Sequence, residues 1–383
     1  MNVRTWFIPL ALAALVILLA AAGPAQAQSG PETPPVPPQP FLTDLGFVTD
    51  FAFASDGHLL TVNTFSKKVC EYDQAGVQLG CVVTPTSPDG ALGQMLGVTP
   101  HPDFPSNRIL YVHYLDKQRW ANVVVRFKWQ GDEATDMREI LILPLPPGQG
   151  DEPCTDHNGG HFSFGPDGAL YVPMGENCFK DLAQDMSAFQ GSVLRVDPET
   201  GEALPDNPFY DGDGPNDDRL WAKGLRNPFG STFDPLTDAF WVTDNGPGCG
   251  DEVNLVQAGK NYGWPVSSDN YFECHDPGPP YVPPLWSWTP PIAPTGIAAY
   301  TGHRIPQWRN SLFMCDWNTK QLHRLPLNDT RDAILDDIII DTGDAACPID
   351  VEMSPNGDLY FGGFDAIYRF HVIPHWLPLI LSS

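Results

Sequence analysis

The sequence predicts an all-β fold, a six-bladed β-propeller of four-stranded antiparallel blades. Six segments share one pattern: a stretch of alternating apolar residues, a turn rich in Pro, Asp or Gly, and a second alternating stretch. They cover residues 51–62, 98–114, 162–173, 229–244, 296–317 and 351–364, roughly 45 to 70 residues apart, the range of propeller blades. The 41 prolines and 35 glycines interrupt the chain too often for long helices. A pair of β-sandwiches is the alternative, but it does not explain the repeat.

Two segments precede the predicted propeller. Arg4 is followed by an apolar run (6–22) and by the small-x-small site Ala25-Gln26-Ala27, which is typical of a secretory signal peptide over residues 1–27. A membrane anchor is less favoured because the run is short and contains Pro9. We therefore expect a secreted or periplasmic protein. Residues 28–40, which include PETPPVPPQP, are expected to form an extended, unpacked linker.

The propeller itself is expected to span residues 41–372. Closure of the ring would join a first strand near 42–47 to a last strand near 368–372. The tail at 373–383 is apolar but too short to span a bilayer, so it is expected to pack under a blade.

The charge balance restricts the partners of this chain. The formal net charge is −26, whereas nucleic acid phosphates and anionic membrane surfaces attract basic proteins. The sequence therefore predicts a soluble exported protein, or one that binds cations, with no nucleic acid partner.

The eight cysteines of an exported chain indicate disulfides, because no pair has the CxxC spacing of a zinc site. Eight cysteines allow 105 pairings in principle. We favour neighbours pairing in order, since each such pair falls within one or two consecutive β-units. This pairing gives four bridges: 70–81, 154–178, 249–274 and 315–347.

One polar turn carries a candidate catalytic base. Asp156 and His157 precede Gly159, Gly160 and a predicted strand. A single histidine in a loop is more often a hydrogen-bonding residue than a catalytic one. Here, however, Asp156 is adjacent and Arg226 lies on the next blade, and a nearby carboxylate raises the basicity of an imidazole. The glycines are expected to leave room for a flat ligand.

Two further polar turns belong to the same end of the predicted propeller. Arg226 and Asn227 precede a strand, and residues 244–265 form a long turn after one. Backbone carbonyls at Gly246 and Pro247, with the acids at 251 and 252, are hard oxygen ligands of the kind that calcium prefers. The alternative is a solvated loop, since no EF-hand pattern is present.

The blocks HNGG, FSFGPDGALYV, GLRNPFG and DNGPGCGDEVNLVQAGKNYGWP, together with MLGVTPHPDF, resemble in order the signature blocks of the glucose/sorbosone dehydrogenase family. The resemblance runs from about residue 41 to 370. It implies a six-bladed propeller that binds pyrroloquinoline quinone (PQQ) over the channel mouth, with calcium at the quinone, and that oxidises a sugar to its lactone. Its partners would be a sugar or polyol and an external electron acceptor.

Where the blocks match the family, the resemblance implies a role for each matching residue. His157 would remove the proton of the anomeric hydroxyl while hydride passes to PQQ, and Asp156 would orient His157. Arg226 and Asn227 would contact the quinone oxygens.

The same resemblance implies calcium sites. The carbonyls of Gly246 and Pro247 would hold the calcium of the cofactor, which acts as a Lewis acid on the quinone. Glu252 and Tyr262 match positions that bind a further calcium in some relatives.

The cations that would anchor the cofactor depart from the family pattern. The family's lysine aligns with Asn318, and its arginine pair aligns with Cys347 and Ile349. Because PQQ is a tricarboxylate, its pocket needs cations. Lys320 and Arg304 are the candidate replacements. On the substrate side, the family's glutamine aligns with residue 92, next but one to a glutamine at 94, and residue 161 is His where Arg is common.

Three functions follow from these observations. The first is an exported, calcium-dependent quinoprotein dehydrogenase, favoured by the retained HNGG and RNPFG blocks. The second is a non-catalytic, calcium-stabilised propeller that binds a carbohydrate or protein, favoured by the altered cations. The third, a calcium-dependent lactonase or esterase, fits the propeller without support from a motif.

Overall fold

A computed structural model describes residues 29–83, 92–148 and 153–372. In these ranges the chain forms six successive antiparallel sheets of four strands, one of which carries a fifth, parallel strand. This architecture confirms the six-bladed β-propeller. The predicted signal peptide (1–27) and apolar tail (373–383) lie outside the described residues.

Each blade uses strands that follow one another in the sequence. From the inner to the outer strand, blade 1 contains Val48–Phe53, Leu59–Asn63, Lys68–Tyr72 and Gln78–Val83; blade 2, Leu92–Pro100, Ile109–Asp116, Ala121–Gln130 and Glu133–Pro144; blade 3, Ser163–Phe164, Leu170–Met174, Ser192–Val196 and Leu220–Lys223. Blade 4 contains Pro228–Phe233, Phe240–Asp244, Asp251–Val256 and Trp286–Trp288; blade 5, Pro294–Tyr300, Ser311–Asp316, Leu322–Pro326 and Ile338–Ile340; blade 6, Asp350–Met353, Leu359–Gly363, Ala366–Phe370 and Gln39–Leu42.

Few other elements are present in the described residues. A hairpin of Ser268–Asn270 and Glu273–Cys274 extends from blade 4, and three short helices span Phe104–Asn107, Lys180–Gln184 and Pro306–Trp308. The six predicted hairpins are therefore the inner two strands of the six blades.

The turns of these hairpins repeat one set of backbone hydrogen bonds. In blade 3, Gly165 N–H donates to the Ala169 carbonyl and Gly168 N–H donates back to the Gly165 carbonyl, both near 3 Å. Gly168 has φ +78°, a conformation that glycine adopts without a steric cost. The SDG turn of blade 1 and the PNG turn of blade 6 have the same two bonds. The Pro-Asp-Gly signal in the sequence thus marks the turn that closes each of these hairpins.

The blades pack through apolar side chains and meet at a polar centre. Six buried apolar clusters occur in the described residues, one between each pair of neighbouring blades. On the axis, the imidazole of His161 lies 3.4 Å from carboxylate oxygens of both Asp50 and Asp350, from the inner strands of blades 1 and 6. Titratable side chains therefore fill the centre of the ring.

The N-terminal segment closes the ring. Gln39–Leu42 pairs antiparallel with Ala366–Phe370, which confirms the predicted closure, although the first strand begins three residues earlier than expected. The preceding stretch differs from the predicted unpacked linker. Ser29–Glu32 pairs with Ile338–Ile340, and the Glu32 carboxylate accepts hydrogen bonds from Arg324 and from Trp308 Nε1–H. An edge strand tolerates prolines that a central strand would not, so proline content alone did not exclude pairing.

Four disulfides connect the cysteines in sequence order, as expected: Cys70–Cys81, Cys154–Cys178, Cys249–Cys274 and Cys315–Cys347. Bridges of this kind persist in oxidising compartments outside the cytoplasm. In the described residues, no helix is long and apolar enough to cross a bilayer.

Candidate active site

The loop before the inner strand of blade 3 is fixed against the second strand of the same blade. His157 has φ +52°, and its carbonyl accepts hydrogen bonds from the backbone N–H and the Nδ2 group of Asn177, at 3.2 and 3.1 Å. A Cβ on Gly175 would lie 2.0 Å from this carbonyl oxygen, so the two backbones approach as closely as glycine allows. The position of His157 is thus set by the backbone.

Glu176 orients the His157 imidazole. One carboxylate oxygen lies 2.9 Å from His157 Nδ1, and the other accepts a hydrogen bond from Trp264 Nε1–H at 2.6 Å. Glu176 is buried, whereas the His157 side chain is 22% exposed. With Nδ1 donating to a carboxylate, the neutral ring has Nε2 as its basic nitrogen. This arrangement is that of a histidine base held by an acid.

The structure differs here from the sequence prediction, which gave the orienting role to Asp156. Asp156 is exposed, and the hydrogen bonds described for His157 Nδ1 involve Glu176. The left-handed backbone at His157 directs its side chain to the turn after Leu170–Met174, where Glu176 is the first acidic residue. The carboxylate that orients His157 is therefore that of Glu176, its neighbour in the blade, and not that of Asp156, its neighbour in the sequence.

The glycines of the HNGG block allow the backbone to pack closely. A Cβ at Gly159 would lie 2.4 Å from the Pro173 carbonyl oxygen, and one at Gly160 would lie 2.5 Å from the Phe229 carbonyl oxygen. Both contacts are with neighbouring strands. The prediction that these glycines leave room for a flat ligand is thus replaced by a structural role at the junction of blades 3 and 4.

Arg226 and Asn227 lie beside this loop, as the sequence predicts. Their backbone N–H groups donate to the buried Asp244 carboxylate at 2.9 and 2.6 Å. The Arg226 carbonyl accepts the N–H of Glu176 at 2.8 Å, and the Asn227 side chain accepts the N–H of Gly159 at 3.3 Å. The loops of blades 3 and 4 therefore form one hydrogen-bonded unit.

The Arg226 guanidinium is held in place by the loop at 244–265. Its Nη1 donates to the carbonyls of Asn245 and Gly246 at 2.8 and 2.7 Å, and it lies 5.5 Å from the centre of the Trp264 ring. Trp264 also donates a hydrogen bond to Glu176, which holds His157. Its indole therefore links the predicted base, His157, to the predicted cation, Arg226.

A cavity of about 360 Å³ adjoins Arg226 and is rich in oxygen atoms. Burial raises the pKa of Asp244 to about 7. Burial, reinforced by the negative charge of Asp244, raises the pKa of Glu252 to about 8. Two carboxyl groups in this state are stabilised by a hard cation, for which they are suitable ligands.

Three other predicted calcium-binding residues line this cavity: Gly246, Pro247 and Tyr262. The Gly246 carbonyl accepts a hydrogen bond from Arg226 in this state. The Tyr262 hydroxyl donates to the Leu255 carbonyl and accepts from Gln257 N–H, so this hydroxyl is engaged within its own loop. Among the predicted ligands, Glu252 is therefore the one that offers a carboxylate in the cavity.

A larger cavity of about 560 Å³ lies at the mouth of the ring. Its polar lining comes from five blades and includes Gln94, Asn227 and Asn245. Lys67 and Lys117, which the sequence prediction did not single out, also line it. Lys67, Lys117 and Glu176 all lie in turns that follow the second strand of a blade, and that shared position was the signal in the sequence that could have identified them.

One known family matches the part of the chain that carries these loops. The sequence pattern described as glucose/sorbosone dehydrogenase matches residues 48–364, which include the HNGG and RNPFG loops. The chain belongs to the glucose/sorbosone dehydrogenase family.

Relatives in this family extend over most of the chain. The aldose sugar dehydrogenase YliI of Escherichia coli is 30% identical over 326 residues, which cover 81% of this chain and 85% of the relative. The crystal structure of the apo-form of the soluble aldose sugar dehydrogenase from Escherichia coli matches with a TM-score of 0.75 at 26% identity, covering 88% of this chain and all of that one. The PQQ-bound aldose sugar dehydrogenase of Streptomyces coelicolor matches with a TM-score of 0.69 at 25% identity, covering 86% and 96%.

Of the residues that the sequence analysis considers at the positions of the family's cofactor cations or as their replacements, Lys320, Asn318 and Arg304 do not line the central cavity. Lys320 is exposed, with its Nζ 5.9 Å from the Phe364 ring, and lines a separate surface cavity. Asn318 is exposed and donates to the Pro291 carbonyl. Arg304 donates to backbone carbonyls at 356 and 372. Ile349 does line the central cavity, so this part of its wall is apolar where the family carries an arginine.

Proposed function

We propose that this protein is a PQQ-dependent dehydrogenase that oxidises an aldose sugar or a related polyol to the lactone. The observation that carries the proposal is the His157–Glu176 pair, in which a buried acid holds a partly exposed imidazole on the loop before the inner strand of blade 3, in a propeller of this family. The PQQ-bound relative supports the choice of cofactor.

The residues of this chain would carry the proton. His157 Nε2 would accept the proton of the anomeric hydroxyl, and Glu176 would stabilise the imidazolium that forms. When bound, PQQ supplies a quinone that accepts hydride from the anomeric carbon, and calcium polarises a quinone oxygen. Arg226 would offer a fixed positive charge where negative charge develops, and Asn227 an amide in the cavity wall.

The central cavity suits such a ligand. Pockets for small molecules commonly measure about 300–1,000 Å³ and combine apolar walls with a few polar groups. This cavity, at about 560 Å³, has aromatic and aliphatic residues together with amides and two lysines. Both the size and the donors fit a planar carboxylated quinone.

Calcium is part of the proposal because of the neighbouring acidic cavity. The raised pKa values of Asp244 and Glu252 indicate carboxyl groups whose charges are poorly compensated. Calcium held by the carbonyl oxygens of Gly246 and Pro247, and a further calcium held by Glu252, would supply the missing positive charge.

Export to the periplasm or beyond is also proposed. The signal-like segment at 1–27 and the four disulfides support it. The electron acceptor would then be extracytoplasmic.

A non-catalytic propeller is the second candidate. It is favoured by one observation: Ile349 and Asn318 occupy positions where the family carries cofactor cations. In that case calcium would stabilise the fold and the mouth of the ring would bind a carbohydrate or a protein.

Reconstitution tests the proposal. Purified protein is incubated with PQQ, with and without calcium, and dye reduction is followed with a panel of aldoses. We expect saturable activity that requires calcium, and His157→Ala to lower kcat by about a hundredfold or more, since general base catalysis contributes such factors. His303→Ala, which alters an exposed histidine in blade 5, is the control. Protein that gains thermal stability from calcium but neither binds PQQ nor reduces dye would favour the binding propeller instead.

A further inference from the structure

The central cavity is positively charged on one side. Among its described lining residues, Lys67 of blade 1 and Lys117 of blade 2 are the ones with ionisable side chains, and no carboxylate lines it. This is notable in a chain with a formal net charge of −26. The opposite side, from blades 5 and 6, presents Trp317 and Ile349. The cavity therefore offers an apolar wall facing two ammonium groups.

Both lysines are held by ordered turns. Lys67 has φ +57°, its N–H donates to the Asn63 carbonyl at 3.0 Å, and its Nζ donates to the Gly93 carbonyl. Lys117 directly follows Asp116, whose carboxylate is engaged by Arg119 Nε at 2.7 Å. The negative charge nearest in sequence to Lys117 is thus already paired with an arginine.

The two ammonium groups affect each other. Burial and the positive charge of Lys117 both lower the pKa of Lys67. Like charges that share a partly buried wall repel, and an anion bound between them would relieve the repulsion. A carboxylate bound beside both ammonium groups would therefore be attracted by two positive charges.

Aromatic side chains surround the same mouth. Phe65 and Trp317 line the cavity and are 76% and 45% exposed. Phe47 lies between them, with ring centres 5.0 Å from Phe65 and 6.5 Å from Trp317. Large exposed aromatic residues at a cavity rim are typical of sites that stack on a flat ligand.

We propose that Lys67 and Lys117 form a carboxylate-binding pair in the central cavity, which supplies from blades 1 and 2 the positive charge that the family pattern places on blades 5 and 6. The inference rests on the proposed function, in which the carboxylates belong to PQQ. An acidic sugar, such as a uronic acid, would present the same chemistry to the pair.

Binding measurements on the full chain test this assignment. The affinity for PQQ is measured by calorimetry for the wild type, Lys67→Met, Lys117→Met and the double variant, in the presence of calcium. Each single change is expected to weaken binding by about tenfold or more, as for loss of a charge-assisted hydrogen bond. Lys68→Met is the matched control, because Lys68 is exposed and begins the next strand. Lys117→Glu, a charge reversal at an exposed position, should weaken binding further without loss of folding, which circular dichroism verifies.

The outcomes separate the two proposals. If the wild type binds PQQ and oxidises sugar, and the lysine variants bind PQQ as tightly as Lys68→Met does, the carboxylate pair is wrong and the dehydrogenase stands. If the wild type does not bind PQQ, the proposed function fails, and glucuronate is titrated instead. Glucuronate binding that depends on both lysines would support the pair with an acidic sugar as its ligand, and no binding of either carboxylate would overturn it.

Discussion

A histidine base depends on the residue that holds it. His157 has Glu176 on Nδ1, and Glu176 has Trp264 on its second oxygen, so the acid is buried with both oxygens hydrogen-bonded. Hydrogen bonds from two donors stabilise a carboxylate, so a buried acid of this kind can hold an imidazole in a fixed orientation. Asp156, although adjacent in sequence, is exposed to solvent. The proposed catalytic pair is therefore defined by contacts within blade 3 and not by neighbours in the motif.

Replacing Glu176 tests this pair directly. Glu176→Gln keeps the shape but removes the negative charge, so we expect kcat to fall by about a hundredfold or more, as when the acid of a catalytic triad is neutralised. Asp156→Asn should change kcat by less than about threefold. Equal losses in the two variants, measured by steady-state dye reduction, would contradict the assignment.

The sequence predicted the site in part. His157, Arg226 and Asn227 were identified from blocks that are continuous in the chain, and the structure brings their loops together. Glu176, Trp264, Lys67 and Lys117 were missed, since their importance comes from neighbours on other turns or blades. Lys320 was a candidate replacement for a cofactor cation, but its backbone is left-handed and it lies in the turn after the strand that ends at Asp316.

At the scale of elements, the inner strand of blade 3 is the shortest of the inner strands, Ser163–Phe164. The preceding HNGG loop runs beside Met174 and Phe229, and close contact with both neighbours compensates for the short ladder. The turn at 165–168 closes the same hairpin at its far end. Two glycines with positive φ therefore lie on this hairpin's two sides: Gly159 in the loop that precedes it and Gly168 in its turn. Their surroundings differ.

These two glycines form a matched pair of substitutions. Gly159→Ala would place a Cβ 2.4 Å from the Pro173 oxygen, whereas Gly168→Ala meets no atom within 4 Å. Both changes introduce the left-handed cost of about 1 kcal/mol. We expect Gly168→Ala to lower the free energy of unfolding by about that amount, and Gly159→Ala by roughly 2–4 kcal/mol, with loss of activity as His157 shifts. Urea unfolding gives both values, and similar values for the two variants would show that the HNGG loop can relax.

The strands were predictable where the hairpin pattern is strong and less so at the edges. The inner two strands of every blade carry alternating apolar residues around a turn, which is why all six hairpins are confirmed. The parallel edge strand Ser29–Glu32 carries no such signal, because its stability comes partly from Glu32 bonding to Arg324 and Trp308. Contacts between residues almost 300 positions apart leave no local pattern in a sequence.

At the scale of the whole molecule, buried polar groups join the blades as well as apolar ones. The His323 imidazole, on blade 5, lies between Asp337 at 2.8 Å and Asp316 at 3.3 Å. Asp337 also accepts a hydrogen bond from Trp288 Nε1–H of blade 4, at 2.8 Å. The three groups are buried, so a proton on His323 is retained by two carboxylates at a blade interface.

The stability of the ring should therefore depend on pH through His323. Burial alone would lower the pKa of this residue, but the carboxylates of Asp316 and Asp337 raise it to about 9, above the ordinary value of 6.5. A raised histidine pKa contributes stability that is complete below about pH 6.5 and is lost as the pH rises through about 9, a change of roughly 3 kcal/mol.

Lys223, whose pKa burial lowers to about 8, titrates in the same range, so the informative quantity is the difference in the free energy of unfolding between the wild type and His323→Gln. We expect this difference in the free energy of unfolding to be large at pH 6 and to shrink by pH 9.5. A difference that does not change with pH, measured by urea unfolding across this range, would mean that His323 is neutral in the folded protein and that its two carboxylates are stabilised by hydrogen bonds alone.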